Sequence, residues 1–354
     1  MAREPDISDF VEVFTALGAK PEHVRRIWRS WFGTGGWVPP QSWNYPAQLQ
    51  AQLAHIRARL ESLVRFEHQE SRQADSGKLL VHLADGECVE AVLLPRDAVC
   101  VSTQVGCAVG CVFCMTGRGG LVRQLSSAEI VAQVVAARRV HPGLKKVVFM
   151  GMGEPSHNLR AVMQAVEFLA DVGQFQHKQL VVSTVGDERL FEALRTARVK
   201  PALALSLHTT DNQKRRTLLP NARPISVEEL LRQTTEYAAM SKYPAQIEWT
   251  LMAGVNDSEA EVERLAELLE GRLAMVNFIA VNPVEGSPYA RPARQHMEDL
   301  ITILRRRRIV ATIRESAAQD IEGGCGQLRA RRLAQAGVRF SRTEEKADIG
   351  GGAS

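Results

Sequence analysis

Apolar positions recur with a helical period over residues 10–17, 21–32 and 47–64. The second and third stretches are separated by Gly33-Thr34-Gly35-Gly36 and Pro39-Pro40, which break a helix. Residues 1–75 therefore read as a small helical module. The texture changes at 78–83 and 88–94, two apolar runs on either side of Ala84-Asp85-Gly86, which predict a β-hairpin within 76–97. Beyond it, strand-like runs at 146–150, 180–184, 202–208, 246–252 and 276–281 alternate with amphipathic stretches at 127–140, 159–172, 188–199, 227–239 and 258–269. A helix over 293–307 and a strand over 309–313 close the series. Repeated βα units of this length imply an α/β fold, a partial (β/α)6 barrel over 98–316, with chemistry gathered at the carboxyl ends of the strands. A C-terminal segment, 317–345, and a tail, 346–354, expected to be disordered, complete the chain.

Composition narrows the class. The chain is 45% hydrophobic and 24% charged, which excludes a disordered or collagen-like chain. No run of about 18 apolar residues is present, and the opening MAREPDISDF has no apolar signal core. The expectation is a cytoplasmic protein without membrane association. A net charge of +4 permits an acidic polymer as partner without requiring one. Residues 291–346 hold thirteen Arg/Lys against seven Asp/Glu, with arginine at all of 305–308. Such a run is either a solvated helix face or a phosphate contact. The same two readings apply to Lys20-Pro21-Glu22-His23-Val24-Arg25-Arg26-Ile27-Trp28, where basic and aromatic residues mix.

Three of the six cysteines form Cys107-Ala-Val-Gly-Cys111-Val-Phe-Cys114. A long chain without a secretion signal has no need of disulfide staples, so clustered thiols indicate metal or redox chemistry. Thiolates this close require a cation to neutralise them. Zinc takes a fourth ligand, commonly from a second CxxC or a His pair, and neither follows at a conventional spacing. Three cysteines suit three corners of a [4Fe–4S] cluster, leaving one iron open. Met150-Gly151-Met152-Gly153-Glu154-Pro155 follows a predicted strand; glycines there admit a ligand close to the backbone, and the carboxylate can accept from an amine. Ser183, Ser206-Leu207-His208 and Asn282 lie at further strand ends. Cys325 lies in Gly323-Gly324-Cys325-Gly326, backbone better suited to a mobile thiol than to a packed core residue, and Cys88 reads as structural.

The C-x3-C-x2-C pattern resembles the radical S-adenosylmethionine (SAM) superfamily. Cys100-Val-Ser-Thr-Gln-Val-Gly-Cys107, Gly151-Met-Gly-Glu-Pro155, Ser206-Leu-His208 and Cys325-Gly-Gln-Leu328 together resemble the RlmN/Cfr family of RNA adenine methyltransferases, over nearly the whole chain. The resemblance implies a [4Fe–4S] cluster on Cys107, Cys111 and Cys114, with SAM contacts at Gly153, Glu154, Ser183, Ser206, Leu207, His208 and Asn282. It implies a methyl group carried on Cys325, a second cysteine, Cys100, that resolves the protein–RNA adduct and forms a disulfide with Cys325, and two SAM molecules per turnover. Glu90 matches a family residue near the substrate base, with a role in proton transfer, and Met150 one near the reacting groups. The implied partners are 23S rRNA, with tRNA as a further candidate, and an electron donor such as flavodoxin or ferredoxin; the helical module would bind RNA. Pro155 favours the adenine-C2 branch over the C8 branch. Departures from the family pattern fall at Ser156-His157-Asn158, Thr209-Thr210-Asp211 and 318–324, and they leave RNA target and regiochemistry open. The alternatives are a C8-adenine methyltransferase, a paralogue with another substrate, or a non-catalytic RNA-binding protein with a structural metal.

Overall fold

The computed structural model describes residues 4–33, 44–73, 75–284, 286–329 and 331–332. The helical module comprises α1 (Ile7–Ala16), α2 (Pro21–Phe32) and α3 (Ala47–Ser62). An antiparallel wing follows: β1 (Arg65–Glu70), β2 (Gly77–His82) and β3 (Glu87–Leu94). β4 (Ala98–Cys100) enters the parallel sheet, and β5 (Gln104–Gly106) and β6 (Leu121–Gln124) pair apart from it around the short α4 (Met115–Arg118). Alternation then brings α5 (Ser127–Val140), β7 (Lys146–Phe149), α6 (Leu159–Asp171), β8 (Leu180–Thr184), α7 (Glu188–Thr196) and β9 (Ala202–Ser206). It continues through α8 (Asn212–Leu218), α9 (Val227–Ser241), β10 (Ala245–Leu251), α10 (Glu259–Leu269), β11 (Ala274–Ala280), α11 (Arg294–Arg306) and β12 (Val310–Arg314). β13 (Arg331–Arg332) pairs antiparallel with β3.

The sheet order is β1-β2-β3-β4-β7-β8-β9-β10-β11-β12, parallel from β4 onward. This is the expected α/β barrel of six βα units, followed by a seventh parallel strand. It is open, because its path ends at β12 without returning to β4. Helices flank the strands through apolar faces, as in α6, where Ala161, Val162, Ala165, Val166 and Leu169 are buried.

Three expectations change. Arg65–Glu70 is a strand, not part of the helical module, and its polar side chains are mostly exposed, so no apolar alternation marks it. Trp28 of the basic segment points inward, as do Trp31 and Phe32 further along α2: all three pack edge-on to Phe168 of α6, with centroids 5.3, 6.2 and 5.8 Å away. Those aromatic faces are not available for stacking on bases. Finally, the four arginines at 305–308 lie where α11 ends, at the amino-terminal ends of the strands, and Arg307 pairs with Glu270 of the α10 C-cap. The tail and most of the C-terminal segment, 333–354, lie outside the described residues. No described helix is long and apolar enough to cross a membrane.

Candidate active site

The cysteine loop is shaped by a close approach of backbones. Gly106 has φ +79°, and a Cβ there would sit 2.0 Å from the Gly120 carbonyl oxygen. Only glycine allows Cys107 N–H to reach that oxygen at 2.9 Å. Cys107, Cys111 and Cys114 then line one loop, with Cys114 capping α4. Burial pushes the Cys107 thiol up to about 12, with charges on Glu154 and Cys114 adding to it. Cys111 is raised by burial and then by Cys114, Cys107 and Glu154. Raised thiols at Cys107 and Cys111, with Cys114 beside them on the same loop, fit a group that brings positive charge. Among the described residues no three His, Cys, Asp or Glu side chains are arranged to hold a single metal ion.

The turn after β7 is tied to this loop through Gln104. Its Oε1 accepts from Glu154 N–H at 2.7 Å and its Nε2 donates to Gln124 Oε1, whose own Nε2 donates to the His157 carbonyl. Gly153 has φ +100°, and a Cβ would lie 2.6 Å from Gln104 Cβ and Cγ. The Glu154 carboxylate accepts from Ser156 N–H (3.0 Å), Thr184 Oγ1 (2.7 Å) and Val185 N–H (3.0 Å). Asn158 donates to the Thr103 and Leu125 carbonyls, so the unusual Ser156-His157-Asn158 stretch contributes turn structure.

Polar side chains cross the barrel interior at one level. Register aligns Ser206, Glu248, Asn277 and Thr312 on β9 to β12. Asn277 donates to Glu248 at 2.8 Å and accepts from Thr312 at 2.8 Å; Ser183 and Ser206 hydroxyls lie 3.3 Å apart. Burial raises the Glu248 carboxyl, opposed by Arg314, which lies 3.3 Å away. His208 has φ +65°, packs edge-on to Phe113 of the cysteine loop at 4.9 Å, and accepts Thr250 N–H at Nδ1 (3.0 Å). That bond selects the tautomer with hydrogen on Nε2. Burial, then the Arg215 charge, lowers its pKa to about 3. Arg215 is itself buried, donates to the Val185 and Ser206 carbonyls, and is lowered to about 10 by burial against the charges of Cys111 and Glu154. Leu207 is fully buried, and its N–H bonds the Glu248 carbonyl.

The C-terminal segment closes over this level. Met115 N–H donates to the Gly326 carbonyl (2.8 Å) and Thr116 Oγ1 to the Leu328 carbonyl (2.6 Å), docking the segment on α4. Asn282 Nδ2 donates to Ser316 Oγ and to the Cys325 carbonyl, while its Oδ1 accepts from Arg291. The Cys325 thiol is raised by the surrounding protein, lowered by Arg314, raised by Glu248, and lowered by a hydrogen bond with Ser316; the Cys114 charge also reaches it. Cys325 is nonetheless exposed, so it lies in a recess that water enters. Burial pushes Cys100 up to about 12, and the next cause is the charge of Cys325. Cys100 and Cys325 thus lie within electrostatic reach of each other, and Cys325 within reach of Cys114. Met150 follows β7, half-buried, and its N–H lies against the Cys100 sulfur. Glu90 is fully buried on β3, and its Oε2 accepts Arg329 N–H at 3.0 Å. Cys88 is buried on the same strand, away from this gathering. Residues missed in sequence are Arg215, Glu248, Asn277, Arg314 and Ser316, discussed below.

A radical SAM superfamily model matches residues 101–269. A probable RNA methyltransferase of Methylibium petroleiphilum is 50% identical, covering 97% of both chains. A second from Leptothrix cholodnii is 51% identical over 94% of this chain and 96% of its own. The chain belongs to the RlmN/Cfr family of radical SAM RNA methyltransferases. A crystal structure of a radical SAM methyltransferase from Sphaerobacter thermophilus superposes with a TM-score of 0.80 at 35% identity, covering 92% of this chain and 98% of that one. As a family member, the protein uses a [4Fe–4S] cluster and SAM, and its substrate is RNA. The non-catalytic RNA-binding alternative does not fit this membership.

Proposed function

We propose that the protein methylates C2 of an adenine in 23S rRNA through a methyl group carried on Cys325, with tRNA as a further substrate. The observation that carries this reading is that Cys325, exposed on a segment docked on α4, lies within electrostatic reach of both Cys100 and Cys114. Cys107, Cys111 and Cys114 would hold the cluster, and Gly153, Glu154, Ser183, Ser206, Leu207, His208 and Asn282 would line the SAM site. When bound, the cluster supplies an electron, and SAM supplies both a methyl group and a 5′-deoxyadenosyl radical.

The chain's own residues account for the rest. Adenine C2 is electron-poor and does not attack a methyl sulfonium, whereas a thiolate does. Ser316 and Arg314 favour the Cys325 thiolate, which accepts the methyl as its S–C bond forms and the sulfonium bond breaks. Met150 and Cys100 border the reacting carbon. Once the Cys325-bound carbon is joined to C2, Glu90 accepts the C2 proton, the electron pair of that bond stays in the ring, and the one surplus electron would pass to the cluster. The Cys100 thiolate then attacks the Cys325 sulfur; the Cys325 S–C bond breaks, its electron pair goes to the released carbon, which takes up a proton to become the methyl group, and the disulfide forms. The target base must leave its stack to reach a recess at the strand ends. A flavodoxin or ferredoxin would deliver electrons, in a cytoplasmic setting.

The test is anaerobic turnover of the iron- and sulfide-reconstituted protein with SAM, reductant and protein-free 23S rRNA or tRNA, followed by nucleoside mass spectrometry. A 2-methyladenosine peak that vanishes in Cys325→Ala is expected. An 8-methyladenosine peak moves the protein to the other branch of the family, and SAM cleavage without methyladenosine rejects these RNAs as substrates.

A further inference from the structure

Lys78 and Glu90 form an ion pair inside the antiparallel wing. Lys78 pairs with Val92 and Leu80 with Glu90, so the two charges are diagonal neighbours on adjacent strands. Nζ lies 3.3 Å from Oε1, and their side chains are 3% and 1% exposed. A buried pair is a poor way to hold two strands together, because apolar residues of similar volume do so without desolvating two charges. Its retention points to what the carboxylate does. Both oxygens are held: Oε1 by the Lys78 ammonium on β2, and Oε2 by the Arg329 N–H, four residues beyond Cys325. The Ser102 hydroxyl donates to the Glu90 carbonyl and the Glu90 N–H meets Met152 Sδ, so the backbone is fixed as well.

We propose that Lys78 is a positioning residue for the proton-transfer step, holding the Glu90 carboxylate oriented between the carrier segment and the base. The inference rests on the assignment of Glu90 as proton acceptor. In that step the adenine C2–H bond of the protein–RNA adduct breaks, its electron pair stays in the ring, and the proton forms an O–H bond on Glu90. Without the ammonium, the Glu90 carboxylate loses the partner that fixes Oε1 and turns from this geometry. Because Lys78 pairs with the proton acceptor, its loss is expected to act after the methyl is loaded.

The experiment compares reconstituted wild type, Lys78→Met, Lys78→Arg and Glu90→Gln in single turnover with 23S rRNA. It follows 5′-deoxyadenosine, methylation of the Cys325 peptide, the covalent protein–RNA adduct on denaturing gels, and 2-methyladenosine. In Lys78→Met, SAM cleavage and Cys325 methylation are expected to continue, the adduct to accumulate, and 2-methyladenosine release to slow about a hundredfold. Lys78→Arg, which keeps the charge, is expected to restore much of the release. Release at the wild-type rate in Lys78→Met, beside an arrested Glu90→Gln, overturns the inference alone. Loss of SAM cleavage in both Lys78 variants also overturns it, showing a structural role. Normal release from Glu90→Gln overturns the parent assignment of Glu90.

Discussion

Asn282 holds the backbone of Cys325: its Nδ2 donates to the Cys325 carbonyl at 2.9 Å and to Ser316 Oγ at 2.8 Å. One amide thus sets the carrier residue and the hydroxyl that bonds its sulfur. Asn282→Ala leaves these acceptors and Arg291 without it. A loss of about 1–3 kcal/mol is expected, since buried polar groups would go unpaired. Methyl loading of Cys325 should slow with it. Denaturant midpoints and a time course of the methylated Cys325 peptide check both.

Cys100 and Cys325 should differ in reactivity. Cys325 is exposed, whereas burial holds Cys100 near 12. Alkylation of the holoprotein should mark Cys325 first. Labelling of Cys100 should rise about tenfold per pH unit up to its pKa, because only the thiolate reacts. The stability sign follows: the raised thiol favours the folded state below its ordinary value of 9.0, and that contribution is lost as pH rises toward 12. Peptide mapping over a pH series checks the order.

His208 contributes in the opposite direction. Its pKa falls from 6.5 to about 3, so the folded state binds one proton fewer between those values. That stability is complete above about 6.5 and lost as pH falls toward 3. His208→Asn, which tolerates the left-handed backbone, should flatten urea midpoints in this window by the equivalent of one proton.

Arg215 places a buried positive charge near Cys111. Reduction adds an electron to whatever the trio holds, and the guanidinium stabilises that added charge. Arg215→Gln should lower the reduction potential of the reconstituted cluster. A redox titration followed by electron paramagnetic resonance checks the direction; an unchanged or raised potential contradicts it.

Gly153→Ala should impair the turn that joins the cysteine loop to Glu154. Its Cβ would meet Gln104 at 2.6 Å, and φ +100° strains any side chain. A cost of about 2–4 kcal/mol is expected. SAM affinity should fall more than iron content, as read by equilibrium dialysis and iron analysis.

The site was legible where its chemistry is local. The trio, Gly153-Glu154, Ser206-Leu207-His208 and Cys325 each sit in short motifs; strand periodicity put all but Cys325 at strand ends, and Cys325 stood out by its glycine-rich surroundings. Residues that depend on pairing were not legible. Glu248 stands between Ile247 and Trp249 and looks like the solvent side of a half-buried strand. Only the register with Ser206 and Asn277 shows that it faces the interior. Arg314 ends β12 and Ser316 follows it, neither in a motif, and their role emerges from the fold of the Cys325 segment over the barrel. Arg215 looks like one of several exposed helix cations, yet it is 4% exposed. The Arg65–Glu70 strand escaped for the opposite reason, since an exposed edge has no apolar rhythm.

The pairing of Arg331 with Cys88 and of Arg332 with Glu87 joins the last described strand to one of the first. The segment bearing Cys325 is thus tethered on both sides, by β12 before it and β13 after it. Under the proposed mechanism, a cut between those two strands would separate the folding of the barrel from the placement of the thiol that receives the methyl.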